Sequence, residues 1–186
     1  MADAEAEATW LGLRRDVKPL VMAGLALGVG LGGFFDGIVF HQILQLHHML
    51  SSYPDASVAT DIRLNVLADG LFHLATYLFT ILGVVLLSRA WRFHPVPKSG
   101  RTLLGATIMG WGAFNLVEGI VNHHLLGIHH VWPAGPGPLL LWDLAFLLWG
   151  ALFLIGGYLV IRTDGAARPT ASDDAIATDG TGTGPE

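Results

Sequence analysis

The sequence predicts an all-α integral membrane protein with four transmembrane helices, arranged as two parallel helical-hairpin repeats. About half of the 186 residues are hydrophobic, and these gather in four long runs. A run of roughly 20 apolar residues is long enough to cross a bilayer as a helix, and runs this continuous are too long for barrel strands. We place the four spans at about 20–49, 65–90, 102–130 and 138–162.

An internal repeat accounts for the two hairpins. The segment DGIVFHQILQLHHM, which begins at Asp36, returns as EGIVNHHLLGIHHV, which begins at Glu118. The next span of each unit is also repeated, so that Asp69 corresponds to Asp143. Parallel repeats are related by a pseudo-twofold axis along the membrane normal. We therefore expect the two histidine-bearing helices to lie nearest that axis.

The ends of the chain differ from the spans in composition. Residues 1–18 have the character of a disordered acidic leader with a basic flank, and 163–186 that of a disordered acidic tail. Such segments lack the apolar surface that would order them. The first hairpin then takes 19–98 and the second 99–162. The first span is too long for a cleaved signal peptide and is followed by no clear cleavage site.

Positive charge predicts the orientation in the membrane. Nine of the ten Lys and Arg residues flank the first and fourth spans or surround the loop between the second and third, and Arg63 is the exception. The positive-inside rule makes that side cytoplasmic. We expect a multi-pass protein of the plasma membrane with both termini in the cytoplasm and with loops 50–64 and 131–137 outside.

Ionisable residues lie where a bilayer disfavours them. Each span carries one carboxylate, and no Lys or Arg lies deep within a span: the carboxylates are Asp36, Asp69, Glu118 and Asp143. A charge at the centre of a transmembrane helix costs roughly 2.5–3.5 kcal/mol even on insertion scales. Each carboxylate must therefore be protonated, paired with histidine or bound to a cation.

The histidines that share these spans predict a metal site. Histidine and carboxylate donors without cysteine suit Zn, Fe, Cu(II) or Mn, and the chain has no cysteine. The candidate ligands are His41, His47, His48, Asp69, His73, His123, His124, His129, His130 and Asp143. Three further residues are candidates for supporting or proton-relay positions, namely Asp36, Glu118 and Gln45. The duplication suits either one ion on the axis or a pair of ions in the outer half of the bundle.

Helical geometry leaves two arrangements open. On a straight α-helix His41, Gln45 and His48 share one stripe. Asp36 and His47 share another stripe, roughly 120° away. A straight helix cannot direct all of them at one ion, so there are either two sites or an irregular helix end.

Two alternatives to a metal site remain. Intramembrane carboxylates and histidines also form relays for protons or ions. A haem could be held between His41 and His123, which we expect at matching depth. If the protein binds metal, it is either an enzyme that activates water or dioxygen or a carrier. The single methionine near the site, Met49, gives little support to Cu(I) handling.

The paired histidine motifs, together with ADGLFHL at 68–74, resemble the signature segments of a family of four-span predicted membrane proteins of unknown function. The resemblance covers about 20–162. It implies no established activity, but it implies an association with the assembly machinery of haem–copper respiratory oxidases, and so with copper. The partners we expect are the lipid bilayer, that machinery and a second copy of the chain, with no nucleic acid.

Overall fold

Four long helices make up the fold. The computed structural model describes residues 9–53, 62–93 and 95–168. The helices are α1 (Lys18–Phe35), α2 (Ile62–Phe93), α3 (Gly100–Glu118) and α4 (Leu139–Arg162). Two π-helices extend α1 and α3, namely π1 (Asp36–Ile43) and π2 (Gly119–Leu125). A two-residue ladder, β1 (Thr9–Trp10) with β2 (Leu13–Arg14), and a 3₁₀ turn (Arg15–Val17) precede α1.

The prediction of four membrane-spanning helices is confirmed. The segments long and apolar enough to cross a membrane are Arg15–Ile43, Ile62–Arg92, Gly100–Leu125 and Leu139–Arg162. The first and third end before the predicted limits of 49 and 130. The π-helical turns close with bonds from Leu44 N to Val39 O and from Leu126 N to Val121 O. The chain then enters the left-handed region at Gln45 (φ 49°) and Gly127 (φ 59°), which ends both helices.

Glycines bring α1 and α3 together along parallel paths. Gly28 of α1 packs so closely on α3 that an added Cβ would lie 2.7 Å from Trp111 N and 2.8 Å from Gly110 Cα. Further along both helices, Gly32 packs against Phe114. Small residues allow such approach between membrane helices. The two histidine-bearing helices are therefore neighbours, as predicted.

The outer helices α2 and α4 run antiparallel to these two. In the first hairpin Gly30 lies against Thr80 and Gly37 against His73, so the contacts run in opposite chain directions. In the second hairpin Gly105 lies against Ile161 and Gly119 against Leu147, again in opposite chain directions. The bundle thus has the order α2, α1, α3, α4, with α1 and α3 in the centre.

The segment before α1 is folded where the sequence predicted a disordered leader. Leu13 and Val17 are fully buried in a small core with Ile161 and Ala167, and Arg14 N donates to Ala167 O (2.9 Å). These apolar residues give residues 9–17 and 163–168 a surface to bury. Residues 1–8 and 169–186, the rest of the predicted leader and tail, lie outside the described residues, as does 54–61 of the predicted first outer loop.

A polar cap joins the start of α3 to the end of α4. Ser99 accepts a hydrogen bond from Thr102 N (3.1 Å), which caps α3,. The Ser99 hydroxyl donates to Asp164, as does Thr102 Oγ1 (2.6 Å). Burial alone would raise the pKa of Asp164, but these hydrogen bonds outweigh it and lower the pKa below its ordinary value of 3.8.

Candidate metal centre

Six polar residues meet at one end of the bundle, which we call the histidine end because π1 and π2 finish there. Each exposes 5% or less of its surface. We name them the central cluster: Asp36, His41, His47, Glu118, His123 and His129. Three come from the first hairpin, and their three counterparts come from the second.

The π-helices place the two carboxylates beside histidines. Hydrogen bonds from residue i to i+5 widen the helical turn, so residues five apart come closer to one face than in an α-helix. Asp36 and His41 are five apart at π1, and Glu118 and His123 are five apart at π2. Of the two arrangements left open by the sequence, the irregular helix end is the one observed. π-Bulges are frequent at functional sites.

The four imidazole rings are packed against one another. The rings of His47 and His129 stack at the middle, 4.7 Å apart and 7° from parallel. His41 lies 4.6 Å from His47, and His123 lies 4.9 Å from His129, each nearly edge-on. The two central rings come from the loops that follow π1 and π2, and the outer two come from the π-helices themselves.

Backbone carbonyls hold the two central rings across the hairpins. His47 Nδ1 donates to Val131 O (2.7 Å), and His129 Nδ1 donates to Met49 O (3.0 Å). A carbonyl can only accept, so the proton of each ring is fixed on Nδ1. In a neutral imidazole the other nitrogen, Nε2, is then a free lone pair. Both Nε2 atoms are buried in the cluster.

A carboxylate of α2 holds one outer ring, and a carboxylate of α4 lies near the other. His41 Nδ1 hydrogen-bonds to Asp69 (2.9 Å), and His123 Nδ1 lies 3.4 Å from Asp143. Asp69 also binds the ring of His48 (2.6 Å) and the Met49 amide (2.9 Å).

Asp143 makes the corresponding contacts in the second hairpin. It binds the ring of His130 (2.7 Å) and the amide of Val131 (3.1 Å). The two carboxylates outside the cluster are thus largely occupied by hydrogen bonds, whereas those inside it are not.

The inner carboxylates face imidazole nitrogens. Glu118 Oε1 lies 2.7 Å from His129 Nε2 and 3.1 Å from His123 Nε2. Asp36, one methylene shorter, lies 3.2 Å from His41 Nε2 without hydrogen-bond geometry. Several buried atoms here have no hydrogen-bond partner: both oxygens of Asp36, Glu118 Oε2, the Nε2 atoms of His41, His47 and His123, and His123 Nδ1.

Two overlapping trios of these residues bring enough donor atoms together that they could hold a metal ion. One is His41, His47 and His129, and the other is Glu118, His123 and His129. Within each trio the candidate ligand atoms lie within 4.8 Å of one another. His129 belongs to both.

The remaining predicted site residues lie outside the cluster. His73 donates from Nδ1 to Asp69 O (2.8 Å) and packs between Phe34 and Phe72. His124 and Gln45 are exposed. His48 and His130 lie beside the cluster, hydrogen-bonded to Asp69 and Asp143, and the His48 ring also lies edge-on to His41, 6.3 Å away. The backbone carbonyls that hold the central rings were not predicted, because a carbonyl carries no signal in the sequence.

No curated protein and no solved structure matches the chain. A family model described as a predicted membrane protein (DUF2243) matches residues 23–164. The matched region includes π1, π2 and every residue of the central cluster, and it covers well over half of the chain. The chain therefore belongs to the DUF2243 family of predicted membrane proteins.

Proposed function

We propose that the protein binds a transition-metal ion in the central cluster. One contact carries this proposal. His129 uses its Nδ1 proton on Met49 O, yet its Nε2 lies 2.7 Å from Glu118 Oε1. In the neutral ring two acceptors then face each other in a buried site, and the conflict is relieved either by a second ring proton that pairs His129 with Glu118 or by a metal ion,. The unpartnered Nε2 atoms of His41 and His47 beside this contact favour the metal ion.

The donor set indicates the kind of ion. The Nε2 atoms of the four histidines supply nitrogen, and Asp36 and Glu118 supply oxygen. Such donors bind Zn, Fe or Cu at about 2.0–2.2 Å. Because Asp69 and Asp143 are engaged on the Nδ1 side, we assign them the orienting role and give the inner carboxylates, Asp36 and Glu118, the ligand role. This exchanges the roles that the sequence suggested.

The shared histidine favours one ion over two. Both metal-binding trios include His129, whose single free nitrogen can bind only one ion. We therefore expect one ion per chain, near the axis that relates the hairpins. Such an ion could act as a Lewis acid on water or dioxygen. The cluster contains no methionine, so a resident ion fits better than Cu(I) transfer.

Metal analysis of the detergent-purified protein tests the proposal. We expect about one equivalent of a transition metal, and we expect the double variant His41→Ala with His123→Ala to lose it. His124→Ala is the matched control, because His124 is the exposed neighbour of His123. Unchanged metal content in the double variant would contradict the proposal.

A proton relay is the second candidate, and a continuous chain of contacts favours it. Asp36 lies 3.2 Å from His41, which lies 2.9 Å from Asp69, which lies 2.6 Å from His48. His48 borders an open cleft of about 340 Å³. A metal-free protein of full stability that conducts protons in liposomes would support this function instead.

Haem fits this arrangement poorly. The rings of His47 and His129 each lie within 6.3 Å of both His41 and His123. They occupy the space that a porphyrin between His41 and His123 would need. An absorption spectrum without a Soret band would agree with a non-haem ion.

A further inference from the structure

The bundle contains an apolar cavity beside the central cluster, of about 370 Å³, between α1, α2 and α3. Residues of all three helices line it, among them Val29, Phe72, Phe114, Val117, Glu118 and Asn122. Its mouth lies on the lipid-facing side, because Val117 and Phe79 expose 63% and 45% of their surfaces there. The closed end contains Glu118.

The corresponding place in the other half of the bundle is filled. Positions 82 residues away from Val29, Val117 and Asn122 are occupied by Trp111, Phe35 and Phe40. The Phe35 ring packs 5.1 Å from Trp111 and 5.6 Å from Phe40.

Trp149 completes the packing on that side. It lies 5.8 Å from Phe35 and 6.3 Å from Phe40, and its counterpart in the first hairpin is the small residue Ala75. The same architecture thus holds aromatic side chains on one side and open space on the other. An open cavity forfeits packing energy, so its retention on one side indicates an occupant.

The filled side shows what kind of occupant fits. It accommodates flat aromatic rings in the equivalent space, and the cavity itself is walled by the rings of Phe72 and Phe114, 6.0 Å apart. Aromatic rings pack favourably with one another at such separations. The lipid-facing mouth favours a molecule that partitions into the bilayer.

The closed end adds one polar requirement. Glu118 Oε2 is buried and has no hydrogen-bond partner, and Glu118 lines the cavity. A carboxylate oxygen accepts a hydrogen bond, so the occupant should present a donor. We propose that this cavity binds a lipid-soluble phenol, with its ring packed against Phe72 and Phe114 and its hydroxyl on Glu118.

This inference rests on the proposed function in one respect: if the cluster holds a metal ion, a phenol bound at Glu118 has its hydroxyl beside that ion. Binding to the cavity itself does not require the metal. The two proposals can therefore fail separately, and each has its own measurement.

The test uses ¹⁹F NMR of 4-(trifluoromethyl)phenol added to the full chain in lipid nanodiscs, with empty nanodiscs as background. We expect a saturable protein-bound signal. 4-(Trifluoromethyl)toluene, which has the same ring without the hydroxyl, should bind about tenfold more weakly or worse, since it leaves the Glu118 oxygen unpaired.

Two cavity-filling variants probe the location. Val117→Phe and Val29→Trp each introduce the residue found at the equivalent filled position, and overpacking should weaken phenol binding by about tenfold or more. Phe35→Val makes the reverse change on the other side and should leave this binding unchanged. An unfolding temperature in detergent close to that of the wild type checks that each variant is folded.

The outcomes separate the two proposals. Saturable phenol binding by a protein that holds no metal would support the cavity and refute the metal site. A metal-loaded protein with no saturable phenol signal would overturn the cavity proposal, as would Val117→Phe binding phenol like the wild type.

Discussion

At the scale of single residues, the orientation of imidazole rings determines what the central cluster can do. Three of the four rings are held from outside by a hydrogen bond through Nδ1, to a carbonyl or to a carboxylate of a neighbouring helix, and His123 Nδ1 lies 3.4 Å from the Asp143 carboxylate. Nε2 is thereby the nitrogen that faces inward. Fixing the tautomer and direction of a ligand histidine in this way raises its basicity toward a metal.

Asp69→Asn should lower metal affinity by about 10–100-fold, as expected for loss of a carboxylate that orients a ligand histidine. The amide replaces one acceptor with a donor, so it cannot hold both His41 and His48. Asp143→Asn should have the smaller effect, because its oxygen is 3.4 Å from His123.

Titration against a chromophoric chelator measures both affinities. Asp16→Asn is the control, because Asp16 pairs with Arg14 at the far end of the bundle. Equal affinities for all three variants would show that the α2 and α4 carboxylates do not orient the ligands.

Asp164 should make stability sensitive to acid. Its folded-state pKa lies below the ordinary value of 3.8, so its contribution to the free energy of unfolding is complete above that value. The contribution disappears as the pH falls through the folded-state pKa. Thermal unfolding of Asp164→Asn in detergent, between about pH 6 and about pH 3, should show a smaller loss on acidification than wild type. Parallel curves would disprove the assignment.

At the scale of helices, sequence patterns predicted where the first and third spans begin better than where they end at the histidine end. The fourth span was expected at 138–162, and α4 runs from Leu139 to Arg162. The apolar runs of the first and third spans continue past π1 and π2, so hydropathy alone carries them too far. Gly127 is a recognisable stop, whereas Gln45 adopts the same left-handed backbone without being a residue that favours it,.

The candidate site was predictable in composition but not in arrangement. Eight histidines and four carboxylates lie in apolar runs, and the free-energy cost of exposing such side chains to lipid is enough to predict that they cluster. The π-helical turns decide which carboxylates face inward, and the hydrogen bonds to Met49 O and Val131 O decide how the two central histidine rings are oriented. Neither leaves a signal in residue types, and His73 and His124 could not be separated from the others by spacing.

Close helix contacts predict a strong effect of one small substitution. Gly112→Ala should destabilise the bundle, because its Cβ would lie 2.5 Å from Gly150 O and 2.9 Å from Leu154 Cα of α4. These are backbone atoms that cannot rotate away. We expect a cost of about 1–3 kcal/mol, seen as a lower unfolding temperature in detergent.

Gly156→Ala provides the matched comparison for Gly112→Ala. Both glycines are helical, but nothing lies within 4 Å of a Cβ at Gly156. Alanine is the better helix former by up to about 1 kcal/mol, so this variant should be neutral or slightly more stable. Similar losses in both variants would argue against the tight α3–α4 contact.

At the scale of the whole molecule, we propose that the histidine end faces the outside. The native chain has no cysteine, so single cysteines report on the topology. Tyr53→Cys lies at the histidine end and Lys98→Cys at the other, and both positions are exposed. An impermeant thiol reagent added to intact cells should label the first and not the second. The opposite labelling would place the metal site on the cytoplasmic side.

The two hydrogen bonds that cross between the hairpins affect how the sequences of the two halves can diverge. His47 depends on a carbonyl of the second hairpin, and His129 depends on one of the first. Each half therefore orients a histidine of the other, as the two subunits of a domain-swapped homodimer would. Covalent fusion of two such subunits frees them from being identical. One half can then keep an open cavity while the other fills the equivalent space with tryptophan and phenylalanine. Two identical subunits cannot differ in this way.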